Sequence, residues 1–259
     1  MSNDHYIPRM LTKPWETPQR QLRYFDFGTE TFSERSSKNL FARRELNSPE
    51  LEAWLNATIE DPAAKHIEQI RKHEGTVPSD WRTQKALALL VYLNSQRIQE
   101  ATVGRDGPFS LEDLAREGDS LSDHIADHFY KTFRFLGVPS GPEFPLFFPE
   151  VGFFPYPMPE TPVMAMPVDP TFAFIIYDGL MTREQLLESI SRKHLSVLSL
   201  GVGSTVRRVI LPPALHVASV QDETTVREVI VALRRDARKL FNLVGEMSVK
   251  GGLRGWVAT

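Results

Sequence analysis

The 259-residue chain contains no cysteine, which removes disulfides, thiolate zinc sites, iron–sulfur clusters and cysteine nucleophiles in one step. It has no apolar run near the roughly 18 residues that a membrane span requires, and its opening Met1-Ser2-Asn3-Asp4 is polar, without a signal-peptide core. A cytoplasmic protein with no membrane partner is therefore expected. Charge of one sign is also scarce: 30 basic against 33 acidic residues leave a formal net charge of −3, which gives no global pull toward nucleic acid. Tandem repeats, a dinucleotide fingerprint, a Ser-His-Asp set in recognisable context and an HExxH zinc motif are all missing, so the sequence names no cofactor. Gly201-Val202-Gly203-Ser204 is too short for a phosphate loop and lacks its lysine. Apolar content is ordinary, 41% hydrophobic against 24% charged, which suffices for a sizeable core. At this length one domain spanning 1–259 is expected.

Chemistry concentrates at the amino terminus. Asp4-His5-Tyr6-Ile7-Pro8-Arg9-Met10-Leu11 places an imidazole, a phenol and a guanidinium around a rigid proline. His5 has the one side chain there that titrates near neutrality, so it is the candidate general base. Pro8 stiffens the turn and forces Ile7 to be extended, which fixes where the imidazole points. The bland reading is that His5 and Tyr6 edge a first strand docked by Ile7, Met10 and Leu11.

The run His5-Tyr6-Ile7-Pro8-Arg9-Met10-Leu11 resembles the opening box of the domain-of-unknown-function family 4238, with Trp15 standing where that family has an aromatic and Gln21–Phe27 where it has a strand. The resemblance extends over Asn39-Leu40-Phe41-Ala42, the stretch from Leu51 to Ile70 with its Ile59-Glu60 pair, and a helix containing Arg97, about the first 100 residues. It implies no activity.

Alternation over Leu22–Phe27 predicts an antiparallel strand, with a hairpin return at Thr31-Phe32-Ser33. Helical signals begin at Ser48-Pro49-Glu50 and define a helical part over 48–136. Within it Asp61-Pro62 ends or restarts a helix, and Ser79 or Asp80 caps another from Trp81 to about Ala101. Ala86 to Leu93 is apolar almost all round, which places that helix centrally, so some of Asn94, Gln96 and Arg97 should be partly buried. A buried Arg97 needs a carboxylate or an anionic ligand, and Glu60 is the first candidate. A further helix runs from Ser120 or Ser122 to about Leu136; on it His124 and His128 share one face at zinc-ligand spacing, or else form a solvated surface with the neighbouring aspartates.

Residues 139–170 hold ten of the nineteen prolines, among them Phe144-Pro145-Leu146-Phe147-Phe148-Pro149, which excludes helix and argues against central strands. This arm wraps the chain's own core, is exchanged with a second subunit to give a homo-oligomer, or rims a binding site. In the strand-rich part 171–259, Thr171–Tyr177 predicts a central strand closed by Asp178-Gly179, and Ser196–Gly203 and Thr205–Leu211 predict two more. An amphipathic last helix is expected from near Thr225 to Val244, with Val226, Val229, Ile230, Leu233 and Ala237 inward and Arg227, Arg234, Arg235, Arg238 and Lys239 mostly outward. That basic face is more ordinary as a solvated surface than as a nucleic-acid contact.

The expected class is α+β, with a largely antiparallel mixed sheet, the helical middle and the C-terminal amphipathic helix. Two functions stand. One is a binding or assembly module with a polar pocket, in which Tyr6, Arg9, Arg23 and Gln96 are the candidate binding residues. The alternative is a hydrolase or nuclease acting on a phosphate-containing substrate, with His5 as general base, Glu60 and Asp178 orienting it or holding a metal, and Arg97 stabilising the anion.

Overall fold

The structure, a computed structural model, describes residues 3–5, 7–37, 39–40, 42–44, 48–73, 76–103, 110–158, 163–201, 206–216 and 220–250; of 3–5, 42–44, 97–103, 220–221, 241 and 243–250 it describes the backbone alone. The fold is α+β, and the paired strands among these residues are antiparallel. Strand β1 (Asn3–His5) and helix α1 (Arg9–Thr12) precede a hairpin of β2 (Gln21–Asp26) and β3 (Thr31–Ser36), and β4 (Ala42–Arg44) returns to pair with β1.

The helical middle follows from its caps. The Ser48 side chain accepts from Leu51 N at 3.1 Å to open α2 (Pro49–Leu55). Pro62 has no N–H to give the preceding turn, and the chain passes through one π-helical turn, Asn56–Glu60, into α3 (Asp61–Lys72). Asp80 Oδ1 accepts from Thr83 N at 3.0 Å at the start of α4 (Trp81–Val103). A Ser110/Asp113 capping box opens α5 (Leu111–Glu117), and α6 (Asp119–Thr132) comes next. Helix α4 is buried on two sides: Leu87, Leu90 and Val91 join one core cluster, and Leu89 and Leu93 join another with Leu55, Ile59 and Leu114. Among the described residues no helix is long and apolar enough to cross a membrane.

The expected helix over Phe133–Leu136 is instead strand β5 (Phe133–Pro139). Arg134 donates to the Tyr130 and Phe133 carbonyls and so closes the end of α6. The proline-rich stretch is not strand-free either. It contains β6 (Phe148–Pro149), β7 (Phe154–Tyr156) and β8 (Val163–Asp169), and β8 lies inside the sheet β5-β9-β8-β7, where β9 is Phe172–Asp178. Pro167 fits there because the register shifts between it and Asp169, the kind of irregularity that spares a missing N–H. The aromatics of this stretch pack on the same chain: Trp15 Nε1 donates to the Leu146 carbonyl at 3.0 Å, and the Trp15 and Phe148 rings meet edge to face at 5.2 Å.

Helices α7 (Arg183–Ser189) and α8 (Arg192–Leu198) follow. Of the expected strand Ser196–Gly203, residues 202 and 203 lie outside the described residues, and the rest is not a strand: Ser191 caps α8, whose Leu195, Val197 and Leu198 enter a core with β7 and β9. The expected strand over Thr205–Leu211 reduces to β10 (Arg208–Ile210), which sits between β2 and β6 in the sheet β3-β2-β10-β6. Helix α9 (Val220–Lys250) covers one face of that sheet through Ile230, Phe25 and Val209.

Candidate functional site

Three elements converge where the apolar middle of α4 gives way to polar residues. Val91 and Ser95 share one face of α4, four residues apart, and the Ser95 hydroxyl donates back to the Val91 carbonyl at 2.8 Å. Opposite stand Phe129 from α6, Phe133 at the start of β5, Met164 of β8, Ile176 of β9 and Phe153 from the turn before β7. Together they line a cavity of about 150 Å³. Phe129 is fixed on the helix side by Phe133, with ring centroids 5.0 Å apart, and stacks on Phe135 at 5.4 Å. Among the described residues the lining has no charged side chain, and the one hydroxyl there already has an acceptor, so this part of the space favours an apolar occupant over water.

Next to Ser95 on α4 lies an unsatisfied polar group. Asn94 is 0% exposed, and neither Oδ1 nor Nδ2 has a hydrogen-bond partner among the described residues. Leaving such a group buried and unpaired costs about 1–3 kcal/mol, so its place needs a reason. The neighbour it packs against is Gly152, whose φ of +73° and lack of a side chain admit the amide: a Cβ there would stand 2.4 Å from Asn94 Nδ2. The next residue is Phe153, which lines the cavity, although Asn94 itself does not.

The residues singled out from sequence are placed as follows. His5 pairs through its backbone with Ala42, while its side chain, Tyr6 and the Arg97 side chain lie outside the described residues. Glu60 ends the π-helical turn and is partly buried, and Gln96 is buried on α4. Arg9 donates to Ser37 Oγ at 3.2 Å and pairs with Glu16 at 3.5 Å. Arg23 pairs with Glu223 and lies over the Phe32 ring. Asp178 Oδ1 accepts from Leu180 N at 3.2 Å in its own turn. Arg9, Arg23 and Asp178 thus enter separate local contacts. His124 and His128 are both exposed on α6, and no group of three or more His, Cys, Asp or Glu suited to a metal occurs among the described residues.

Sequence reasoning placed Asn94 near a buried run but missed the cavity, whose lining comes from positions between 91 and 176. It also missed a hydrogen-bonded chain from α3 to α4. Thr83 Oγ1 donates to Asp80 Oδ2 at 2.8 Å and lies 2.9 Å from His66 Nδ1. The Thr83 N–H, and then its hydroxyl, hold the Asp80 carboxyl below the usual carboxylate range, so Asp80 can only accept. Thr83 has one proton and gives it to Asp80; His66 must therefore carry its proton on Nδ1. The i to i+3 Asp80/Thr83 cap was readable from sequence, whereas its junction with His66 depends on how α3 meets α4.

No curated protein and no solved structure matches the chain. A family model does match, over residues 3–135, beyond the first 100 residues and through α6 to the start of β5. It takes in Val91, Asn94, Ser95, Phe129 and Phe133, whereas Phe153, Met164 and Ile176 lie outside it. With that span matched, the chain belongs to the family described as protein of unknown function (DUF4238).

Proposed function

We propose that the chain is a binding module for a small, largely apolar molecule, held in the cavity between α4, α6 and the sheet of β8 and β9. The observation that carries this reading is the partly open space of about 150 Å³ lined by Phe129, Phe133, Phe153, Met164 and Ile176. A cavity of about 150 Å³ with an apolar lining is of the size that takes up benzene. The pocket differs from the polar one expected from the sequence: its described lining is apolar apart from the Ser95 hydroxyl, and Asn94, next to Ser95 on α4, lies outside that lining. The hydrolytic alternative depends on His5 and Arg97, whose side chains lie outside the described residues.

The test is thermal unfolding of the whole chain in toluene-saturated buffer and under xenon. A ligand present at about a hundred times its Kd stabilises the folded state by about 2.7 kcal/mol, so Tm rises by several degrees. Val91→Phe, which places a ring in the space, abolishes the rise. Absence of any rise in the wild-type chain overturns the proposal.

A further inference from the structure

We infer that Asn94 is the polar anchor of that site, and that the ligand class is a neutral, single-ring or similarly sized molecule carrying one hydroxyl or amide group. This rests on the proposed function and extends it to specificity. A primary amide offers two donors and an acceptor with two lone pairs, and Asn94 uses none of them among the described residues although it is 0% exposed. Buried amides are seldom left so, because the penalty falls in full on the folded chain.

Position supplies the second strand of the argument. Asn94 is three residues after Val91 and adjacent to Ser95, the two α4 residues that line the cavity, so it flanks the same helical face. On the other side it touches Gly152, the residue before Phe153, which forms part of the lining. Asn94 is not itself among the lining residues, so the ligand has to displace part of the wall to reach the amide. Gly152 also explains how the amide is accommodated: any side chain at that position would occupy its place.

Electrostatics narrows the class. None of the described lining residues is charged, so an ionised ligand would meet no counter-charge from them, which burial penalises heavily. A neutral hydroxyl or amide meets the Asn94 amide as donor and acceptor together, while its ring fills the apolar space. Ser95 contributes little, since its hydroxyl is committed to the Val91 carbonyl.

The test compares two molecules of nearly equal shape, toluene and phenol, binding to the wild-type chain and to Asn94→Leu by calorimetry. A purely apolar cavity prefers toluene strongly, because phenol loses its hydrogen bonds to water. With the anchor in place, phenol binds the wild type at least as tightly as toluene, and Asn94→Leu restores a preference for toluene of about tenfold or more. If toluene binds and phenol is disfavoured by the wild type as strongly as by the variant, Asn94 is not the anchor although the cavity reading stands. If neither molecule binds, the cavity reading fails and this inference fails with it. Leucine at a buried unpaired amide removes a polar burden, and the wild-type phenol-to-toluene ratio alone decides if the variant does not fold.

Discussion

Gly152 shows how much a single residue can govern here. Its positive φ and the 2.4 Å approach of Asn94 Nδ2 to a built Cβ make Gly152→Ala costly twice, once in backbone strain and once in contact. We expect a loss of about 1–3 kcal/mol in urea unfolding, with a non-additive partial recovery when Asn94→Ala is combined with it. His216 offers a second test at this scale. Burial pushes its imidazole below the ordinary value near 6.5, Arg23 adds to the effect, and the Leu211 carbonyl, 3.2 Å from Nε2, and Glu34 oppose it. The folded state therefore binds that proton less readily than the unfolded state. Its contribution is whole above pH 6.5 and is lost as the pH falls from 6.5 through the lower folded value. His216→Gln should flatten that part of the stability profile; an unchanged slope would refute the assignment.

At the scale of elements, α9 illustrates what a helical pattern conveys and what it omits. The apolar stripe was legible, and Ile230 and Ala237 are fully buried. The division of the arginines was not: Arg234, expected outward, is 7% exposed, while Val229, expected inward, is 47% exposed. The reason lies in the sheet beneath. Arg23, Phe25 and Phe27 alternate onto one face of β2 and its continuation, so the helix meets a guanidinium, a ring and a ring in turn. Glu223 pairs with Arg23, Ile230 packs on Phe25, and Arg234 stacks on Phe27 at 3.5 Å while donating to the Val206 carbonyl at 2.6 Å. Burial pushes the Arg234 guanidinium down to about 10. Ile230→Ala should cost about 2–4 kcal/mol, and Val229→Thr should stay within about 0.5 kcal/mol, by chemical denaturation. Elements whose signals are local were read correctly: the Ser48, Ser110 and Thr182 caps, the β2–β3 hairpin, and the central strand β9, apolar from Phe172 to Ile176 because both sheet faces are covered. Alternating apolar residues over 196–203 looked like a strand, yet the Ser191 cap and packing of α8 against α9 and β7 made its first three residues helical. The cavity was illegible because no periodicity within one segment records which strand will lie under which helix.

Across the whole molecule, the proline-rich stretch joins regions distant in sequence. Leu146, Phe147, Phe148 and Phe154 are buried within their own chain, with Phe147 N donating to Ser199 Oγ at 2.9 Å. Exchange of this stretch between subunits would have to give up those contacts and remake them, so light scattering is expected to show the mass of one chain. A dimer that dissociates on Trp15→Ala would instead favour exchange. The family match ends at 135, but among the described residues contacts cross that point: β2 takes β10 as its second neighbour, and the cavity residues of α4 and α6 close against Met164 and Ile176. A fragment of residues 3–135 should therefore lack cooperative unfolding by circular dichroism, where an independent unit would melt sharply. The pairing of β2 with β10 also sets a timetable. Arg207 and its partner Asp26 are 181 residues apart, so on a ribosome adding about 5–20 residues per second the hairpin waits roughly 10–40 s for its neighbour to be synthesised. Throughout that interval a nascent strand edge rich in Leu, Tyr and Phe stands open, and the growing chain needs shelter from its own copies on the same messenger.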